Sequence, residues 1–160
     1  MQLKREIKLI CTDLDGTLTD GGISVDCQGY ETRKYNVVDG QLIKIAQEKG
    51  YLFACITSSS SPGIKFRLEK LGFNYIKMGV EDKGRCIKEL IRKLDLSTMQ
   101  VLYVGDDIND ISAFDVVGTR VAVNGSSAEL MSIADEITNA KGGQGVLREI
   151  IEALLGRNYS

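Results

Sequence analysis

Short apolar runs alternate with amphipathic stretches along most of this chain, and that rhythm limits the folds open to it. Ile7 to Thr12, Leu52 to Thr57, Phe73 to Lys77 and Val101 to Val104 are short runs that read as strands, with a fifth at Val121 to Val123. Between them the spacing changes to that of helices. Asp39 to Lys49 carries Leu42, Ile45 and Ala46 on one face and stops at Gly50. Ser61-Pro62 is a helix start and Gly72 its end. In Asp82 to Leu94, residues Ile87, Leu90, Ile91 and Leu94 follow i, i+3, i+4, i+7. Further helices are expected near Ser127 to Ala134 and from Gly145 to about Leu155. Strands alternating with helices imply an α/β fold: a Rossmann-like parallel sheet with right-handed crossovers and helices on both faces. Gly22 to Asn36 breaks the rhythm. Its alternating residues around Gln28-Gly29 predict a β-hairpin inserted after the first strand, where a helix is otherwise due. The expectation is one domain over 1–160, with a hairpin insertion at 22–36, a glycine-rich tail and last helix at 141–160, and no large cap.

Composition removes several chemistries. The chain contains no histidine, which excludes Ser-His and Cys-His catalysis and histidine-ligated zinc. Cys11, Cys27, Cys55 and Cys86 form no C-x-x-C pair and read as buried thiols. A formal net charge of -2 argues against a broad nucleic-acid-binding face. No apolar run approaches the ~20 residues of a membrane span, and Met1 to Glu6 lacks the apolar segment of a secretory signal, so a cytoplasmic location is expected. Chemistry must rest on carboxylates, hydroxyls, lysines or an oxygen-ligated metal.

The first strand runs into Asp13-Leu14-Asp15-Gly16-Thr17. Open parallel sheets bind ligands at the carboxyl ends of their strands. Two carboxylates there repel unless a cation or shared proton compensates; alone, the pair reads equally as a solvated turn. The fourth strand runs into Gly105-Asp106-Asp107-Ile108-Asn109-Asp110, a second acidic cluster at the same sheet end. If the two strands are neighbours, up to five carboxylates share one crevice, a setting for Mg²⁺ with oxygen ligands. Thr57 ends the second strand and Lys83 opens a helix. Each can hold phosphoryl oxygens, or be a cap and a solvated charge.

In order, these four segments resemble the motifs of the haloacid dehalogenase superfamily of phosphatases. Leu18-Thr19-Asp20-Gly21-Gly22, Tyr35-Asn36-Val37-Val38-Asp39-Gly40 and Lys141-Gly142-Gly143-Gln144-Gly145-Val146-Leu147-Arg148-Glu149 are similar to the 3-deoxy-D-manno-octulosonate 8-phosphate phosphatases and the related nonulosonate 9-phosphate phosphatases. The resemblance implies a phosphomonoesterase acting on a phosphorylated sugar acid through a phospho-aspartate on Asp13. It implies Asp15 as acid and base, with Thr57 and Lys83 on the phosphoryl oxygens. Mg²⁺ would be held by the Asp13 and Asp106 carboxylates and the Asp15 carbonyl, and Asp107 and Asp110 would orient Lys83 or metal-bound water. Gly16 would let backbone N–H groups approach the phosphate, with Ser58 beside the substrate. Lys70 either touches substrate or is a solvated helix lysine. The tail is either a flexible lead or docks beside a neighbouring site, where Arg148 meets an anion; family members form homotetramers.

Two departures leave the sugar open. Thr57 precedes Ser58-Ser59-Ser60-Ser61 where the family has Gly then Arg or Glu, and Val38 stands where octulosonate enzymes often have Arg. A phospho-receiver domain also clusters Asp, Thr and Lys, but its phosphorylated Asp follows the third strand. A non-catalytic regulatory or assembly module remains the other reading.

Overall fold

The computed structural model describes Met1, Leu3 and residues 6–156; the end of the predicted tail, 157–160, lies outside the described residues. In chain order the elements are β1 (Leu9–Thr12), β2 (Ser24–Val25), β3 (Glu31–Thr32), α1 (Val37–Gln41), α2 (Ile43–Glu48), β4 (Leu52–Ile56), α3 (Pro62–Leu71), β5 (Tyr75–Lys77) and α4 (Lys83–Lys93). They continue through β6 (Val101–Gly105), α5 (Ile111–Phe114), β7 (Thr119–Ala122), α6 (Ala128–Ile133), β8 (Glu136–Ile137) and α7 (Val146–Leu155).

Six strands form one parallel sheet in the order β5-β4-β1-β6-β7-β8. Successive side chains on a strand face opposite ways, and the two faces build separate cores. Ile10, Phe53, Cys55, Leu102, Val104 and Val121 pack with residues of α2, α3 and α7 such as Ile43, Leu68 and Ile150. Leu9, Cys11, Ala54, Ile56, Val101 and Tyr103 pack with Ile87 and Leu90 of α4, Phe114 of α5 and Leu130 of α6. β1 and β6 are buried at every position, and strands covered on both sides are for that reason almost wholly apolar, Thr12 being the exception. Removing one such anchor, Phe53→Ala for example, costs about 3–5 kcal/mol by cavity formation.

The predicted elements are present with three differences. The helix expected at Asp39 to Lys49 begins at Val37 and is interrupted at Leu42. The Val-Val-Asp-Gly run is a poor helix former, and Asn36 starts the helix by accepting the Val38 N–H. The sheet also gains a sixth strand, β8, too short and too polar to register as an apolar run. The hairpin at 22–36 is there, but only Ser24–Val25 and Glu31–Thr32 pair as strands. Its base is tied back by an antiparallel bridge between Thr19 and Tyr35. Between β1 and β4 the chain holds only this hairpin and two short helices, so no large cap interrupts it. Among the described residues no helix is long and apolar enough to cross a membrane.

The chain builds β4 and β5 on one side of β1, then crosses to β6 on the other. The topological reversal therefore lies between β1 and β6. Their neighbouring carboxyl ends open the crevice in which such sheets bind ligands.

Candidate active site

Asp13 follows β1 directly, and its N–H donates to the Val104 carbonyl at 3.0 Å, which fixes it beside the end of β6. Its side chain is 7% exposed. Lys83, the first residue of α4, lies as deep; Asp82 caps that helix by accepting the Arg85 N–H at 2.9 Å. The Lys83 ammonium sits 2.8 Å from Asp13 Oδ1 and 2.6 Å from Asp110 Oδ1. Burial lowers the pKa of this lysine, yet the two carboxylates outweigh burial and raise it above the usual lysine value. Lys83 is therefore a fixed cation between two buried anions.

Asp110 is wholly buried and its hydrogen bonding is saturated. Oδ1 accepts from Lys83 and from the Tyr103 hydroxyl at 2.7 Å; Oδ2 accepts the N–H groups of Asp106 at 2.9 Å and Asp107 at 3.2 Å. Four donors occupy the roughly four lone-pair directions of a carboxylate. Carboxylate oxygens of Asp13, Asp106 and Asp110 lie within 4.8 Å of one another, but Asp110 has nothing left to offer a cation. Asp13 and Asp106 do. Burial first, then repulsion from Asp110, pushes Asp13 up to about 6. Burial first, then Asp13 and Asp110, pushes Asp106 up to about 7. An oxygen-seeking divalent cation relieves the mutual repulsion that raises both, so the donor set fits Mg²⁺.

Gly16 makes this approach possible. Its φ is +87°, and a Cβ built there would overlap the Asp106 carboxylate. The Thr17 hydroxyl donates to Asp106 Oδ1 at 3.2 Å. The loop is braced by the tail: the Gly143 N–H donates to the Thr17 carbonyl, and a Cβ on Gly142 would overlap the Gly16 carbonyl. Asn36 Nδ2 donates to the Gly143 carbonyl at 3.0 Å. Asp39, at 3% exposure, then starts α7 by accepting the N–H groups of Leu147 at 2.8 Å and Arg148 at 3.2 Å.

Residues 79–150 match the haloacid dehalogenase-like hydrolase family. The 3-deoxy-D-manno-octulosonate 8-phosphate phosphatase of Haemophilus influenzae is 31% identical over 156 residues, which is 97% of this chain and 87% of the relative. The chain belongs to this family of phosphatases. Its fold agrees: the Moraxella catarrhalis octulosonate 8-phosphate phosphatase, solved with magnesium, phosphate and KDO, superimposes with a TM-score of 0.91 at 33% identity, over 94% of this chain and 87% of that one. The cobalt-bound Haemophilus influenzae phosphatase superimposes with a TM-score of 0.90 at 30% identity, over 94% and 88%. The chain is thus a phosphoric monoester hydrolase of the haloacid dehalogenase class.

Within this phosphatase the structure gathers Asp13, Asp15, Gly16, Thr57, Lys83, Asp106 and Asp110 at one sheet edge. Thr57 is 2% exposed and its Oγ1 accepts the Ser59 N–H at 3.1 Å, leaving the hydroxyl hydrogen to donate elsewhere. Asp107 is exposed and accepts the Ile108 N–H at 2.8 Å, capping the turn before α5, while the orienting of Lys83 falls to Asp110. Three predicted substrate contacts are not brought in. Ser58 is exposed, and Ser59 takes the inward place. Lys70 is exposed on α3, eight residues and so about 12 Å along the axis from Pro62, next to the serine loop. The Arg148 guanidinium is answered by Glu152 at 2.7 Å and by Gln41. Conversely, Arg33, Ser59 and Tyr103 touch the site residues and sequence reasoning missed them. Arg33 carries no motif signal, and one serine in a run of four cannot be singled out from sequence.

Proposed function

We propose that this single catalytic domain hydrolyses the phosphate ester of an acidic keto-sugar of the 3-deoxy-D-manno-octulosonate 8-phosphate type, with Asp13 as nucleophile. The observation that carries this reading is the buried Lys83 bridging Asp13 and Asp110, with Asp106 alongside. Structural roles alone do not explain placing three carboxylates and one ammonium there, because buried ionic clusters contribute little net stability.

Mg²⁺ held by the Asp13 and Asp106 carboxylates and the Asp15 carbonyl would supply screening of the repulsion between phosphate and nucleophile. Lys83 fixes the Asp13 carboxylate through Oδ1 and, with the Thr57 hydroxyl, receives the equatorial phosphoryl oxygens. Gly16, lacking a side chain, lets backbone N–H groups come close to them. A bond forms between an Asp13 oxygen and phosphorus as the ester oxygen leaves, taking a proton from the Asp15 carboxyl. The Asp15 carboxylate then takes a proton from water attacking the phosphorus, and phosphate departs with Asp13 restored.

Assembly as a homotetramer is part of the same proposal. It is supported by the apolar side chains the hairpin region leaves open: Ile23, Val25, Tyr30 and Val37 are 45%, 63%, 65% and 71% exposed. Light scattering that gives a monomer mass at micromolar concentration would refute it. The tail braces its own chain's catalytic loop, so docking to a neighbour is not needed to explain its glycines.

Turnover of octulosonate 8-phosphate beside several nonulosonate 9-phosphates, with Mg²⁺ and with chelator, tests the function. Hydrolysis of one of these, abolished by chelator and by Asp13→Asn, is expected. A folded protein that leaves every phosphate ester intact would instead favour a regulatory or assembly module.

A further inference from the structure

Asp15 is held mainly by groups outside the catalytic motifs. Arg33, just beyond β3, grips it with two prongs: Nε donates to Oδ1 at 2.7 Å and Nη2 to Oδ2 at 3.1 Å. Arg33 Nη1 donates to Glu31 Oε2 at 3.0 Å, and Nη2 also reaches Ser59 Oγ at 3.1 Å. Ser59 Oγ donates to Asp15 Oδ2 at 2.8 Å, and Thr19 Oγ1 to Oδ1 at 3.4 Å. The Arg33 side chain is 3% exposed, whereas that of Asp15 is 23% exposed. Four donors therefore reach the two Asp15 oxygens, but the Thr19 contact is the longest and that hydroxyl can turn away, which frees one Oδ1 lone pair to hold a proton. Two separate elements, the hairpin and the loop after β4, meet on this one group. A planar guanidinium fixes both the position and the plane of a carboxylate, which an ammonium does not.

We infer that Arg33, assisted by Ser59, is the positioning residue for Asp15, setting the orientation from which its carboxyl delivers a proton to the leaving alcohol. The inference rests on the phosphatase reading above. Arg33 forms no bond with the phosphoryl group in this role; it acts through Asp15. A purely structural role, pinning the hairpin to the body of the protein, would weaken all turnover alike. A positioning role depends on how much the leaving group needs the proton.

The test compares kcat/KM for phenyl phosphate, whose phenolate needs a proton, with p-nitrophenyl phosphate, whose anion leaves without one. This ratio covers steps up to departure of the leaving group, so later hydrolysis of the aspartyl-phosphate does not mask the effect. A positioned general acid contributes about 10²–10⁴-fold. Arg33→Ala is therefore expected to lower kcat/KM for phenyl phosphate about tenfold or more beyond its loss on p-nitrophenyl phosphate, with only partial recovery in Arg33→Lys. Should Arg33→Ala fail to fold, Ser59→Ala keeps the ion pair and is expected to show the same selectivity at about threefold. Equal losses on both esters, or no loss on phenyl phosphate, would overturn the inference while leaving the phosphatase reading intact. A wild type that hydrolyses neither these esters nor the sugar phosphates above would overturn the two together, and one active on the sugar phosphates alone is compared on them, where less than about a tenfold loss of kcat/KM in Arg33→Ala would overturn the inference.

Discussion

Asp110→Asn changes one atom of a wholly buried side chain, and the four donors around it decide the cost. The amide keeps one oxygen and gains an NH2 that cannot accept. If the NH2 faces the Asp106 and Asp107 amides, two backbone N–H groups lose their acceptor. If it faces Lys83 and Tyr103, the tyrosine hydroxyl can rotate to accept from it, and only the ammonium loses a partner. The second arrangement is cheaper, because Lys83 still has Asp13 at 2.8 Å. Removing one partner of a buried ion pair costs about 3–5 kcal/mol, and the remaining carboxylate trims this to about 2–4 kcal/mol. For a chain of this length, that is a fall in Tm of about 5–15 °C. Urea unfolding monitored by circular dichroism measures it as a lower midpoint at unchanged slope. Exposed Asp107→Asn, which keeps a good capping side chain, should stay within about 0.5 kcal/mol of wild type. A loss below about 1 kcal/mol for Asp110→Asn would refute the claim that Lys83 and the loop are organised through Asp110.

In chelator, stability should fall as pH rises. Asp13 at about 6 and Asp106 at about 7 sit above the ordinary 3.8. Between roughly pH 4 and 7 the folded protein thus binds more protons than the unfolded chain, and their contribution is lost through that window. Scanning calorimetry should show Tm lower at about pH 8 than at about pH 5, with Mg²⁺ raising it more at the higher pH; a flat or opposite profile would contradict the buried cluster. Gly16→Ala strains a positive φ and overlaps Asp106, so Mg²⁺ affinity by calorimetric titration should fall by at least about tenfold, and wild-type affinity would exclude Asp106 from the metal site. Asp39→Ala should cost about 1–2 kcal/mol by uncapping α7, while Asp39→Asn, which keeps an acceptor, should cost less than half of that in the same urea assay.

Much of this architecture is legible in the sequence because doubly covered strands must be largely apolar, and β1, β4 and β6 are, with Thr12 the polar exception. The same logic misses β8, where Glu136 and Ile137 pair with the backbone of β7 at the sheet edge. The acidic clusters are legible because they stand at strand ends, where spacing along the chain maps onto one edge of the sheet. Contacts made across the fold are different. Asp39 caps a helix 108 residues away through a carboxylate that local pattern reads as the start of its own helix. Arg33 reaches Asp15 across 18 residues from a polar hairpin whose neighbours, Thr32 and Lys34, look no less suited to solvent. Ser59 rather than Ser58 faces inward because its N–H bonds Thr57 Oγ1, a turn geometry that four consecutive serines do not encode. The saturation of Asp110, which separates it from Asp106 as a metal ligand, depends on Tyr103 and two backbone N–H groups, only one of which is a side chain the sequence displays.

Reduction by borohydride during turnover, followed by peptide mass spectrometry, tests the covalent step directly, because an aspartyl-phosphate is reduced to homoserine whereas a free carboxylate is not. The expected result is homoserine at residue 13 in wild type mixed with a phosphate ester it hydrolyses, and none in Asp13→Asn. Steady hydrolysis with residue 13 never reduced, or reduction found at Asp15 or Asp106 instead, would contradict the assignment of Asp13 as the nucleophile.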